Sequence, residues 1–130
     1  MQSIEKQIYD VRFDVPTGCV IMEWNGYANS QQFREGTEKM FAELVKHQAH
    51  KVLGNIKDMV LISLDDQTWL IDYFLPKAIS HGFRAIALVR PVHYFNKVAV
   101  ETIAYKVNQE QLRIQFFNDV HEAEDWLRSF

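Results

Sequence analysis

The residues best placed for chemistry lie between Asp58 and Asp66, where Asp58, Ser63, Asp65 and Asp66 gather three carboxylates and a hydroxyl in one short stretch. Carboxylates of this density can hold a divalent cation through hard oxygen ligands. The glycine that an EF-hand loop requires is missing here, and a solvated acidic loop accounts for the same residues. Ser63 followed by Leu64-Asp65-Asp66 has the form of a helix N-cap with acidic residues in the first turn, the end of a helix that favours negative charge. The same place suits a phosphate on Ser63, although Asp65 and Asp66 would repel it and could instead supply permanent negative charge. Asp58, Ser63, Asp65 and Asp66 are therefore the candidate partner or switch region.

His47 and His50 have a three-residue spacing compatible with a shared metal. Cations at the end of a helix explain them, and His81 beside Gly82, just as well. His93 and His121 have no readable partner. No Ser/His/Asp order, nucleophile elbow or phosphate-cradling glycine motif is present, because the five glycines are scattered singly. The sequence calls for no catalytic residue, metal or cofactor.

Aromatic residues form a second candidate site. Trp69, Tyr73, Phe74, His93, Tyr94 and Phe95 could wall an apolar pocket if the helices that carry them lie side by side, with Tyr and His as polar anchors. Core packing is the competing explanation for each of them.

The elements that must position these groups follow from periodicity. Ile4 to Val15 alternates as a strand, Pro16-Thr17-Gly18 turns the chain, and Cys19 to Trp24 continues in β-forming residues. Asn29 or Ser30 caps a helix whose inner face reads Phe33, Thr37, Met40, Phe41, Leu44 and Val45. Lys51 to Ile56 is a short strand, and Lys57 to Asp66 is expected to be the longest loop. A second helix from about Leu64 to His81 contains Pro76, which predicts a kink near Asp72–Pro76 or a break there. Ala85 to Val89 is unbroken and apolar, as in a strand covered on both faces, and is expected to be central. Pro91 opens a third helix with Val100, Ile103, Ala104 and Val107 inward. Leu112 to Phe117 is a strand, and Asp119 to Phe130 a closing helix with acids early and Arg128 late. The order ββαβαβαβα predicts an α/β fold with a mixed, mostly parallel sheet and helices packed on it, an opening hairpin supplying the antiparallel part.

Composition bounds the function. One domain is expected over residues 1–130, large enough to bury a core without staples. Aromatic residues make up 13% of the chain and the net charge is −3, with no Lys/Arg cluster, which argues against nucleic acid as a partner. Cys19 is alone, so no disulfide framework or CxxC motif exists. No apolar run approaches the roughly 18 residues of a membrane span, and Met1–Lys6 lacks a signal-peptide stretch, so a cytoplasmic setting is expected. Apolar edge surface on the first strands could be covered by a second copy, giving a homodimer.

Several local features occur in a recognisable order. They are Trp24-Asn25-Gly26-Tyr27 before a capped helix with Phe33-Arg34, Asn55-Ile56-Lys57-Asp58 ending a strand, and Ile62-Ser63-Leu64-Asp65-Asp66-Gln67-Thr68-Trp69. Phe74-Leu75-Pro76-Lys77-Ala78-Ile79, Gly82-Phe83, Val89-Arg90-Pro91 and Ala123-Glu124-Asp125-Trp126-Leu127 follow. In this order the chain resembles the STAS superfamily, and more closely the SpoIIAA-like group labelled STAS/SEC14 domain proteins. The resemblance implies a SpoIIAA-like sandwich and a binding or regulatory module more than an enzyme. It also places a phosphorylatable serine near Ser63, but the Asp-Ser-Ser/Thr pattern of the switch proteins is absent. The SEC14 part of the likeness implies a lipid or other apolar ligand between the second and third helices. A protein partner bound through the Ser63 helix is the first reading, an apolar ligand the second, and an enzyme using Asp58 or Asp65 with a histidine a distant third.

Overall fold

The computed structural model describes residues 7–130. Five strands, β1 (Tyr9–Asp14), β2 (Cys19–Gly26), β3 (Lys51–Met59), β4 (Ala85–Val89) and β5 (Arg113–Phe117), form one sheet in sequence order. The part of the first alternating run before residue 7, including Ile4, lies outside the described residues. β1 and β2 pair antiparallel across a turn closed by the Gly18 N–H to the Asp14 carbonyl at 2.9 Å. Every later pairing is parallel.

A strand order that never reverses decides where the helices go. Right-handed crossovers that all step in one direction leave their helices on the same face. α1 (Ser30–His47), α2 (Leu64–Trp69), α3 (Leu75–Ser80) and α4 (Tyr94–Lys106) therefore share one side, and α5 (Val120–Arg128), which follows the last strand, folds back over the other. Alternation along the strands serves both layers. Val52, Ile56 and Ile86 face the helical side, while Leu53, Ala85, Ala87 and Val89 face α5.

Each helix is locally encoded. Asn29 forms a complete capping box with Gln32, two reciprocal bonds of 2.8 and 3.0 Å. Gly36 lets α1 settle onto the sheet, since a Cβ there would stand 2.6 Å from Trp24 Cη2. Asp119 caps α5 through the Glu122 N–H at 2.8 Å. At the other end of α5 the Lys51 ammonium donates to the Leu127 carbonyl at 2.9 Å, a cation where the helix end is negative.

The second helical stretch is interrupted where proline predicts. Leu70–Phe74 is a π turn between α2 and α3, with the Leu75 N–H bonded to the Leu70 carbonyl five residues back. Pro76 has no N–H to give the turn before it, and one widened turn absorbs that loss.

Three expectations are corrected. β3 is nine residues long and runs to Met59, so Lys57 and Asp58 belong to a strand and the connection to α2 is short. β4 is an interior strand, but the middle of the sheet is β3. Asp66 lies in no acidic loop; it is a buried residue of α2.

Candidate interaction edge and interior cavity

The Ser63 region is built at the carboxyl ends of β2, β3 and β4. After Met59 the chain is tied down bond by bond. The Val60 N–H donates to the Gly26 carbonyl at 2.9 Å, and Asn96 of α4, fully buried, accepts from the Ile62 N–H at 3.0 Å and donates to the Met59 carbonyl at 3.2 Å. Gln67 donates back to the Ile62 carbonyl at 2.8 Å. These bonds fix the start of α2, and Ser63 caps it by accepting from the Asp66 N–H at 3.2 Å.

The candidate residues then diverge. The Asp66 carboxylate accepts from Ser30 Oγ at 3.0 Å and from Arg34 Nε at 3.0 Å, which locks α2 to α1. Arg34 also lies 5.3 Å over the Trp69 ring. Asp66 is thus a neutralised structural group, whereas Asp58 and Asp65 point to solvent. Among the described residues no carboxylate or imidazole bonds the Ser63 hydroxyl, neither Asp58 nor Asp65 bonds a histidine, and no cluster of three or more His, Cys, Asp or Glu could hold a metal. His47 stacks on Phe13 at 4.1 Å while His50 Nδ1 bonds the Gly82 carbonyl at 2.8 Å, so the two imidazoles face different neighbours. His81 Nδ1 bonds the Lys77 carbonyl at 2.9 Å.

The aromatic set separates into two groups. Trp69 packs on Phe74 at 5.4 Å and on Tyr73 at 6.0 Å, and the Lys77 ammonium sits 4.8 to 5.6 Å over Phe41, Tyr73 and Phe74 while pairing with Glu38 at 2.8 Å. Tyr94 and Phe95 form an edge-on pair 5.5 Å apart beside His93, the residue preceding α4. Among the described residues no aromatic pair joins the two groups.

Besides Asp58 and Asp65, this end of the sheet exposes several large apolar side chains. Leu64, the first residue of α2, is 79% exposed, and Tyr94 and Phe95 are 70% and 74% exposed. Val92 and Tyr27 are exposed on the adjoining loops, tied in through the Val92 N–H to the Lys57 carbonyl and through Gly26. The sequence reading passed over Leu64 because its neighbours fit a polar cap, and over Asn96 because a buried amide leaves no periodic mark.

Beneath the helices lies an apolar cavity of about 90 Å³, walled by residues such as Phe33, Phe74, Val100 and Ile103 with Ile86 on its floor. Of the six aromatic-set residues, Phe74 alone lines it. A surface groove of about 500 Å³ runs between α3 and the end of α4, and Leu75 borders both spaces.

No family model matches the sequence, and no curated protein is similar to it. Its architecture is nonetheless shared by solved structures. The chain is similar to an uncharacterized protein of the DUF3478 family from Shewanella loihica PV-4, described as having a SpoIIAA-like fold, with 16% identity over 98% of this chain and 99% of that one and a TM-score of 0.64. It is also similar to the protein TM1081, solved by NMR, with 15% identity over 100% of this chain and 96% of that one and a TM-score of 0.61. The chain has a SpoIIAA-like α/β fold, as the order of its motifs implied. No helix among the described residues is long and apolar enough to cross a membrane.

Proposed function

We propose that the chain is a non-catalytic STAS-like interaction module that docks a protein partner at the edge carrying Ser63. The observation that supports this reading most is the exposure of Leu64, Tyr94 and Phe95 around a rigidly bonded loop. Scattered apolar residues are ordinary on a surface, but several at one edge mark an interaction site. Candidate residues Asp58, Ser63 and Asp65 then form the polar rim, and Asp66 holds α2 in place through Arg34. A preformed apolar edge needs no added phosphate, which separates it from a standard phospho-switch. A reducing bacterial cytoplasm suits the unpaired, buried thiol of Cys19.

The test is capture of a partner from a cell lysate with the wild-type chain and with a Leu64→Asp/Phe95→Ser double variant, using Tyr105→Ser, at the far end of α4, as the control. A protein that wild type and control retain and the double variant loses is expected. Equal retention by all three would overturn the reading. Sedimentation of the same samples identifies a second copy of the chain if that is the partner.

A second reading, a small apolar ligand or lipid between the second and third helical stretches, is supported by the cavity and groove there. Tyr73, Tyr94 and Phe95 would then serve the surface and Phe74 the interior.

A further inference from the structure

We infer that the space between α3 and α4 binds one straight alkyl chain with an anionic head, of which a medium-chain carboxylate is the simplest example. This rests on the ligand-binding reading and adds the chemistry of the ligand. Size decides the shape of the tail. A cavity of about 150 Å³ is what holds a benzene ring in a protein interior, and the cavity here is about 90 Å³. A ring does not fit, but the end of an unbranched chain does, with the remainder lying in the groove of about 500 Å³ outside.

The lining decides the polarity of the tail. Among the described residues Thr37 and the Trp24 indole carry the polar side-chain atoms of the cavity wall, and the Thr37 hydroxyl already donates to the Phe33 carbonyl at 2.8 Å. The rest of the lining is hydrocarbon or thioether, so burying a polar group there is costly and a hydrocarbon tail is favoured. The mouth is different. Ser80, Asn108 and Gln111 line the groove with Lys106, and among the described residues Lys106 is the one charged group on it and no carboxylate shares it. A single cation among neutral hydrogen-bonding groups matches an anionic head.

The backbone supplies a separate observation. Leu70 and Phe74, the ends of the π turn, line the cavity, Ile71 lines the groove, and Leu75 just beyond the turn stands between the two spaces. A π turn widens a helix locally, and such turns recur at functional sites. Here the widened turn lies beside Leu75, the residue common to both linings, where a chain reaching from groove to cavity would have to pass.

Calorimetric titration of the full chain with hexanoate, octanoate, 1-octanol and cyclohexanecarboxylate tests this, with amide NMR shifts to locate the binding. One octanoate per chain is expected, with affinity rising about fourfold per methylene from hexanoate and shifts at residues 70–76 and 104–107. 1-Octanol should bind about threefold more weakly, the effect of one exposed charge pair, and cyclohexanecarboxylate should not bind. Lys106→Met should reduce octanoate to the level of 1-octanol. Leu75→Trp, or Ala104→Leu should the first not fold, should abolish binding by filling the passage or the cavity. Equal or tighter binding of 1-octanol would overturn the anionic head, and binding of the ring would overturn the straight tail, both leaving a ligand site standing. Failure of all four probes would overturn the ligand reading with it.

Discussion

The two faces of the sheet are packed in opposite ways. On one, a single helix lies on small residues: Ala85 and Ala87 of β4 meet Ala123 and Leu127 of α5, and with Cys19, Leu53 and Val89 they form a core in which each is almost fully buried. On the other, larger side chains carry α1 to α4, yet a cavity remains beneath α4 and apolar residues stay exposed at the edge near Ser63. Short side chains allow close approach and leave little void, whereas bulky ones spanning several helices leave gaps unless every shape matches. An apolar void forfeits contacts and so costs stability. The helical face keeps that cost, and the edge and cavity proposed for binding both lie there.

This contrast can be broken by substitution, and the largest effect belongs to the close-packed face. Leu127→Ala should lower stability by about 3 kcal/mol in denaturant unfolding, because neighbours that are already small cannot collapse into the space; a loss below about 1 kcal/mol would show that face to be loose as well.

Two glycines on the helical face sharpen the comparison within that layer. Gly36→Ala drives a Cβ into the rings of Trp24 and Tyr9 and should cost about 2 kcal/mol, although alanine is the better helix former. Gly54→Ala meets the Leu88 Cδ2 atom at 2.8 Å, the flexible end of a side chain that itself borders the cavity. Leu88 can swing into that space, so the loss should stay below about 1 kcal/mol. Equal losses would mean the cavity gives no room.

The smallest effect concerns the thiol on the α5 face. Burial pushes the pKa of Cys19 above its ordinary value of 9.0, outweighing the hydrogen bond with Thr17 and the nearby Lys51, both of which lower it. The folded chain holds that proton more tightly than the unfolded one. The resulting stabilisation is complete below pH 9 and is lost as the pH rises through the higher folded value. Cys19→Ala should therefore flatten the decline of stability above pH 9, and thiol reagents should label wild-type Cys19 only as fast as the chain unfolds. Fast labelling at pH 8 would contradict the closed packing of that face.

Much of the architecture was legible because element types follow from local pattern. Ala85–Val89 could only be a strand covered on both sides, and the acids and Arg128 of the last helix follow its dipole. The extent of β3 was not legible. Its pairing with β4 stops at Asn55, while pairing with β2 continues past Asp58 to Met59, so Lys57 and Asp58 are exposed strand residues beyond the reach of β4, with the polarity of a loop. Asp66 was misplaced for a different reason. Its partners Arg34 and Ser30 lie 32 and 36 residues away, and no local spacing reveals a carboxylate that is neutralised across the fold. Ser63 as a cap could be read directly, because capping is local. The cavity could not, since its walls come from α1, the π turn, α4 and the sheet, and their shapes meet only across the fold.

The most direct measurement places a photo-crosslinking benzoylphenylalanine at Phe95, on the helical face's exposed edge, and separately at Phe130, 51% exposed just beyond α5, and compares the products formed in cells. A discrete protein adduct from position 95, with none from position 130, is the expected result. Adducts from position 130 alone, or none from position 95 while the chain is folded and abundant, would contradict an interaction site at the Ser63 edge.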